Sequence, residues 1–372
     1  MMASLSINCL LITKFFLIVI FNGIIANTDL REQFYNQLRT LIETSPFPQE
    51  GKDVILRPVE EIGWGQNLTG LGQVSGVSVN PNGNPVIFHR GSRIWDLESF
   101  NSTNIYQHLD EGAIDVDTVL TLDRNTGEVI SSWGKDMFYM PHGITVDHHF
   151  NTWVTDVAMH QVFKFPRGWL TPSLILGELF TPGHDETRFC KPTSVAVASS
   201  GHIFVADGYC NNRILKYNHK GVLERIFPQH EEFLSLLVPH SLTLIEKHDL
   251  ICVADRENMR VACWPAEIGY KTTGYESFSP FTIHQPDLGR VFGIAALGDL
   301  VYAINGPTSS HIPIQGFTIN PFAETIVDHW RLSSQEFKKP HAISVSPHGD
   351  ALYITEIGPN KVWKFSFKPK QL

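Results

Sequence analysis

Apolar residues in this chain follow two rhythms. Residues 28–44 carry a stripe at helical spacing, Leu30, Phe34, Leu38, Leu41 and Ile42. Asp29 and Glu32 at its start resemble a capping box. Helical spacing then fades. Short alternating runs take over, separated by Gly, Pro, Asn and Asp. These runs repeat, as in HGITVDHHFNTWVTDVAMHQVFKF (142–165) and HAISVSPHGDALYITEIGPNKVWKF (341–365). Each unit is an apolar strand, a polar turn, a second strand, a loop and a third strand. Six units begin at Ser75, His142, Thr193, His240, Phe292 and His341, the first spacing being 67 residues and the others 47–52. Several strands per unit at that period predict an all-β fold, a six-bladed β-propeller of NHL-like repeats over 71–368. A helical and extended segment over 27–70, with a short N-terminal helix, is expected ahead of it. Closing six units into a ring leaves only short edges. It also turns the first residue of each unit toward the axis.

The ends and the composition set the compartment. Lys14 precedes the apolar run Phe15–Ile20, and Ile24-Ile25-Ala26 follows after three residues. The run is short for a bilayer span and ends in small residues, which predicts a secretory signal over 1–26. An uncleaved anchor is the competing reading. No second stretch approaches the ~20 apolar residues of a membrane helix, so the mature chain is expected in the secretory lumen or outside the cell. A net charge of −9 and the lack of a basic run beyond Lys368 and Lys370 argue against nucleic acid as a partner. Cys9 leaves with the signal, and an even set remains: Cys190, Cys210, Cys252 and Cys263. Two disulfides follow in an oxidising compartment. Three connectivities are open, of which Cys190–Cys210 with Cys252–Cys263 is the local one. No C-x-x-C spacing supports a cysteine zinc site. Asn67-Leu-Thr and Asn101-Ser-Thr are glycosylation sequons.

Candidate chemistry sits at the unit starts. Histidine occupies the second, fourth and sixth, each after proline: Pro141-His142, Pro239-His240 and Pro340-His341. In a six-bladed ring these positions lie about 120° apart and converge on the axis. Three neutral imidazoles with an open fourth position suit zinc. The plainer reading is that three of the chain's 17 histidines happen to sit in the core or on the surface. Arg90, Tyr209 and Arg256 each fall just past the second strand of a unit, so they share one rim. Two guanidinium groups beside a phenol favour its phenolate, which can act as a base. Arginines also clamp carboxylates through paired hydrogen bonds. Alternatively, Arg256 pairs with Asp255 or Glu257 and Tyr209 is a packed aromatic.

The strings VSGV (74–77), VIFHRG (86–91), WVTDVAMHQVFK (153–164), DGYCNNRI (207–214), VPHS (238–241), ICVADREN (251–258) and VWKF (362–365) resemble peptidyl-α-hydroxyglycine α-amidating lyases. The resemblance spans about residues 70–367 and all six units. It implies a catalytic zinc on His142, His240 and His341, a catalytic tyrosine at Tyr209 and active-site arginines at Arg90 and Arg256. It implies the disulfides Cys190–Cys210 and Cys252–Cys263. It also implies a structural calcium on the backbone carbonyls of Val77 and Ile144 and on an aspartate after the last histidine. That position here is Ala342. Calcium needs several oxygen ligands, so loss of the one carboxylate puts this ion in doubt. The implied reaction cleaves the N–Cα bond of a peptide ending in α-hydroxyglycine, giving a peptide amide and glyoxylate. A separate peptidylglycine hydroxylating monooxygenase supplies that substrate. No H-x-H-H run for its copper occurs, and the propeller fills the chain, so a monomeric, stand-alone lyase is expected. Two other classes share the fold: a non-catalytic secreted propeller that binds a protein partner, and a calcium-dependent hydrolase or lactonase. The first needs neither histidines on alternate units nor the Arg/Tyr rim. The second calls for acids at the unit starts, which carry none.

Overall fold

The computed structural model describes residues 55–228, 234–269 and 279–370. The expected signal and the helix over 28–44 lie outside them. Among the described residues the strands form six four-stranded antiparallel sheets, the blades of a propeller. The inner strands are Val74–Val79, Pro141–Val146, Ser194–Val197, Pro239–Ile245, Val291–Leu297 and Pro340–Val345. Each packs against the inner strands of both neighbours, and the first meets the sixth, so the ring is closed.

The structure adds a fourth, outer strand to the three read in each unit. In the first five blades these are Val129–Trp133, Leu174–Leu176, Leu223–Phe227, Phe281–Ile283 and Thr325–Trp330. Most of their residues are exposed or half-buried, so their alternation is weak. In the sixth blade the outer strand is Leu56–Glu60, which runs antiparallel to Val362–Pro369 with Leu56 opposite Pro369 and Glu60 opposite Phe365. This strand lies within 27–70, ahead of the segment read as propeller. No local pattern marks it, since its partner lies at the other end of the chain. Glu60 fastens it further, accepting from the backbone N–H and hydroxyl of both Ser333 and Ser334.

Apolar side chains from facing sheets fill the space between blades. Between the third and fourth, Ala206 and Ile214 meet Ile251, Val253 and the fully buried Trp264. Both local disulfides form: Cys252–Cys263 across paired strands of the fourth blade, and Cys190–Cys210 between two loops of the third.

Candidate active site

A recurrent bulge turns the unit-start residues inward. Pairing of the first two strands slips by one residue between Val74 and Gly76, Pro141 and Ile144, Pro239 and Ser241, Val291 and Gly293, and Pro340 and Ala342. In four of the five slips the residue left without a partner is a unit start: Ser75, His240, Phe292 or His341. In the second blade the slip spans His142 and Gly143. A bulge re-aims a side chain that regular pleating would point elsewhere. Gly143 permits this approach, because a Cβ there would lie 2.4 Å from the Thr193 carbonyl oxygen.

The three histidines meet as their phase predicts. Their rings lie 4.7–4.9 Å apart between centroids. Their ligand-capable atoms fall within 4.8 Å of one another, and all three side chains are buried. The intervening unit starts complete the arrangement through their backbones. His142 Nδ1 donates to the Thr193 carbonyl at 2.8 Å, His240 Nδ1 to Phe292 at 2.6 Å and His341 Nδ1 to Ser75 at 2.6 Å. A carbonyl only accepts, so the proton sits on Nδ1 and every Nε2 presents a lone pair. Burial, reinforced by the neighbouring imidazoles and the site arginines, holds His142 and His240 well below the usual histidine range. Burial and Arg90 bring His341 down to about 3. Three neutral imidazoles with fixed tautomers and carbonyl support are the donor set a divalent metal requires. The residues present therefore fit such an ion.

Buried acids hold the segments that carry these histidines. Asp156, at the end of the second strand, accepts from the N–H groups of Tyr139 and Met140, just ahead of Pro141-His142. Asp255 does the same for Leu237, and Glu356 for Lys338 and Lys339. The sequence reading missed this role. Its signal was there in the strand ends VTD, VAD and ITE, which recur in the units that bear histidine.

Tyr209 stands over two of the imidazoles. Its hydroxyl oxygen lies 3.1 Å from His142 Nε2 and 3.2 Å from His240 Nε2. Gly208 lets this loop press on the fourth blade, where a Cβ would come within 2.2 Å of the Pro239 oxygen. Cys210 ties the other side of the tyrosine to Cys190. Arg256 Nη1 donates to the Tyr209 oxygen at 3.4 Å, and its guanidinium sits between the Tyr209 and Phe292 rings. It also pairs with Glu257. Arg90 is fully buried. It donates through Nε to the Pro141 carbonyl and through Nη1 to Gln73, while Nη2 has no partner. Burial pushes Arg90 down to about 10, offset in part by Tyr209 and Asp156, so it is a cation at neutral pH. A channel of about 240 Å³ runs along the axis from the three histidines, between the inner strands. Val77, Ile144 and Ala342 line it, and no acidic side chain does among the described residues.

Known proteins bear on this geometry. The NHL repeat family model matches residues 189–217. A Drosophila melanogaster protein, peptidyl-alpha-hydroxyglycine alpha-amidating lyase 2, is 52% identical over 312 residues, covering 83% of this chain and 75% of its own. Xenopus laevis peptidyl-glycine alpha-amidating monooxygenase B is 41% identical over 82% of this chain, which spans only 35% of that protein. The nidogen/laminin complex structure matches at a TM-score of 0.52 with 14% identity, covering 73% of this chain and 84% of that one, and shows the fold alone. The propeller, and relatives this similar over this much of the chain, place the protein in the peptidyl-α-hydroxyglycine α-amidating lyase family, as a lyase of the peptidylamidoglycolate class.

Proposed function

We propose that the protein is a zinc-dependent lyase converting peptides that end in α-hydroxyglycine into peptide amides and glyoxylate. The observation that carries this reading is the meeting of three buried imidazoles, each with its proton held on Nδ1 by a backbone carbonyl, directly under Tyr209. His142, His240 and His341 hold the zinc. A bound zinc supplies a Lewis acid toward the substrate's oxygen atoms. Each Nε2 has one lone pair, so a bound ion would displace the Tyr209 hydroxyl from the imidazole to which it donates and leave its oxygen with the Arg256 donor. Tyr209 takes the proton of the substrate hydroxyl as the carbonyl of glyoxylate forms and the N–Cα bond breaks. The amide nitrogen gains one proton in the same turnover, so the reaction is neutral overall. Arg90 Nη2, buried and without a partner, offers its N–H to the substrate carboxylate. The channel wall offers backbone carbonyls at Val77 and Ile144 but no carboxylate, so this reading assigns no tight calcium site beside Ala342.

The rest of the reading concerns setting. The disulfides Cys190–Cys210 and Cys252–Cys263 fit an oxidising compartment, the secretory lumen or beyond, with residues 1–26 as the signal. Asn67 and Asn101 are exposed and available for glycans. The substrate comes from a separate peptidylglycine hydroxylating monooxygenase, and the lyase acts as a monomer. Metal analysis of the purified protein, together with glyoxylate release from an α-hydroxyglycine peptide, tests this. About one zinc per chain and glyoxylate lost on chelation are expected. Full glyoxylate release by metal-free protein would sink the zinc assignment, and no release by zinc-loaded protein would sink the activity.

A further inference from the structure

The first blade departs from its siblings between its second and third strands. Residues 90–118 separate Pro85–His89 from Val119–Leu122, whereas residues 208–212 suffice in the third blade and 256–259 in the fourth. This insert accounts for the long first spacing. It is fastened to the body at several points. His160 Nε2 donates to the Asn104 carbonyl at 3.0 Å, and Ile114 N–H to the Phe138 carbonyl at 2.8 Å. Phe100 packs on His160 and on Trp95.

The insert delivers Trp95 to the site. Its ring lies 4.7 Å from that of Tyr209 and 6.1 Å from that of His142. The Arg90 guanidinium sits 5.3 Å from the same indole. Gln73 secures both residues through one oxygen: Oε1 accepts from Arg90 Nη1 at 2.7 Å and from the Trp95 backbone N–H at 3.2 Å. Arg90 and Tyr209 come from different blades, and no direct hydrogen bond joins them. Trp95 contacts both. We infer that Trp95, held by Gln73, is a positioning residue that sets the Tyr209 phenol relative to the Arg90 guanidinium.

This rests on the roles given above to Tyr209 and Arg90. A rigid aromatic wedge fixes distance with little entropy to lose, and misplacing a reacting group by ~1 Å can cost 10²-fold in rate. The effect belongs in turnover, because the metal ligands and the carboxylate donor stay in place.

The experiment compares Trp95→Leu, Trp95→Phe, Tyr209→Phe and the double variant Trp95→Leu/Tyr209→Phe, each zinc-loaded, on one α-hydroxyglycine peptide. Zinc content and thermal midpoint are measured alongside kcat and KM. Trp95→Leu is expected to lower kcat by about 10–100-fold and to move KM by less than about 3-fold. Trp95→Phe should recover most of that loss. In the Tyr209→Phe background the leucine change should cost little more, because it acts through the missing hydroxyl. Full turnover by Trp95→Leu, or an equal loss with and without the Tyr209 hydroxyl, overturns the inference. An active Tyr209→Phe variant instead overturns the role of Tyr209, and an inactive wild type the lyase reading. If Trp95→Leu fails to fold, the phenylalanine variant decides: a raised KM with kcat unchanged would make the indole a substrate contact and refute a positioning role.

Discussion

Replacing Asp255 by alanine tests whether the acids behind the histidines hold the metal site. Asp255 is fully buried and accepts from Leu237 N at 2.7 Å, Arg260 Nε at 2.7 Å and Asn258 Nδ2 at 2.8 Å. Alanine removes all three hydrogen bonds at once. Breaking a buried ion pair from one side costs ~3–5 kcal/mol. Arg260 keeps the Ser235 carbonyl through Nη2 and is 18% exposed, which places this case near the lower end. The orphaned Leu237 N–H adds ~1 kcal/mol. The sum, ~4 kcal/mol, is a large part of a typical stability of ~5–15 kcal/mol. At roughly 2–3 °C per kcal/mol for a domain of this size, the thermal midpoint should fall by about 10 °C. Leu237 lies three residues before His240, so the segment bearing that ligand loosens as well. Metal affinity should drop by roughly 10-fold or more, the scale seen when support behind a ligand is lost. Asp255→Asn keeps one acceptor oxygen and should lose about half as much. Thermal denaturation and zinc titration against a competing chelator read both quantities. An Asp255→Ala protein that melts within about 2 °C of wild type and holds zinc as tightly would refute the anchoring role.

Tyr209→Phe removes one oxygen and leaves the ring contacts with Trp95 and Arg256, so zinc content and folding should persist while glyoxylate release slows by ~10² or more. Turnover near the wild-type rate would take Tyr209 out of the mechanism. His240→Ala should lose bound zinc, and one equivalent surviving dialysis would break the three-histidine geometry. His160 supplies a pH test, because burial brings it down to about 4, aided by Lys191 and opposed by the Asn104 bond. Its folded value lies below the unfolded ~6.5, so its contribution is complete above pH ~6.5, and about 3 kcal/mol is lost as pH falls toward 4. His160→Gln should flatten the stability profile between those limits, and an unchanged slope would exclude this histidine as its source.

The phase of the three histidines was legible because the repeat period is regular. A six-fold ring converts the spacings of 98 and 101 residues between the histidines into alternate blades. The shared rim of Arg90, Tyr209 and Arg256 followed from the same regularity, since each falls just past the same strand of its unit. What escaped notice breaks the repeat or lies outside side-chain identity. Leu56–Glu60 joins the sixth blade through pairing across the whole chain, and Trp95 rides on an insert without counterpart in the other units. The unit starts of the first, third and fifth blades looked uninformative: serine, threonine and phenylalanine share no chemistry. Yet all three support a histidine in the same way, through the carbonyl oxygen of Ser75, Thr193 or Phe292. A backbone acceptor is common to every residue type, so the side chain at these positions is free for other work. At Phe292 that work is packing against Arg256, and at Thr193 it is a 2.7 Å hydrogen bond to the Pro239 carbonyl, next to His240. The ring therefore alternates histidine and carbonyl support, and only the histidines carry a residue type by which a sequence can announce them.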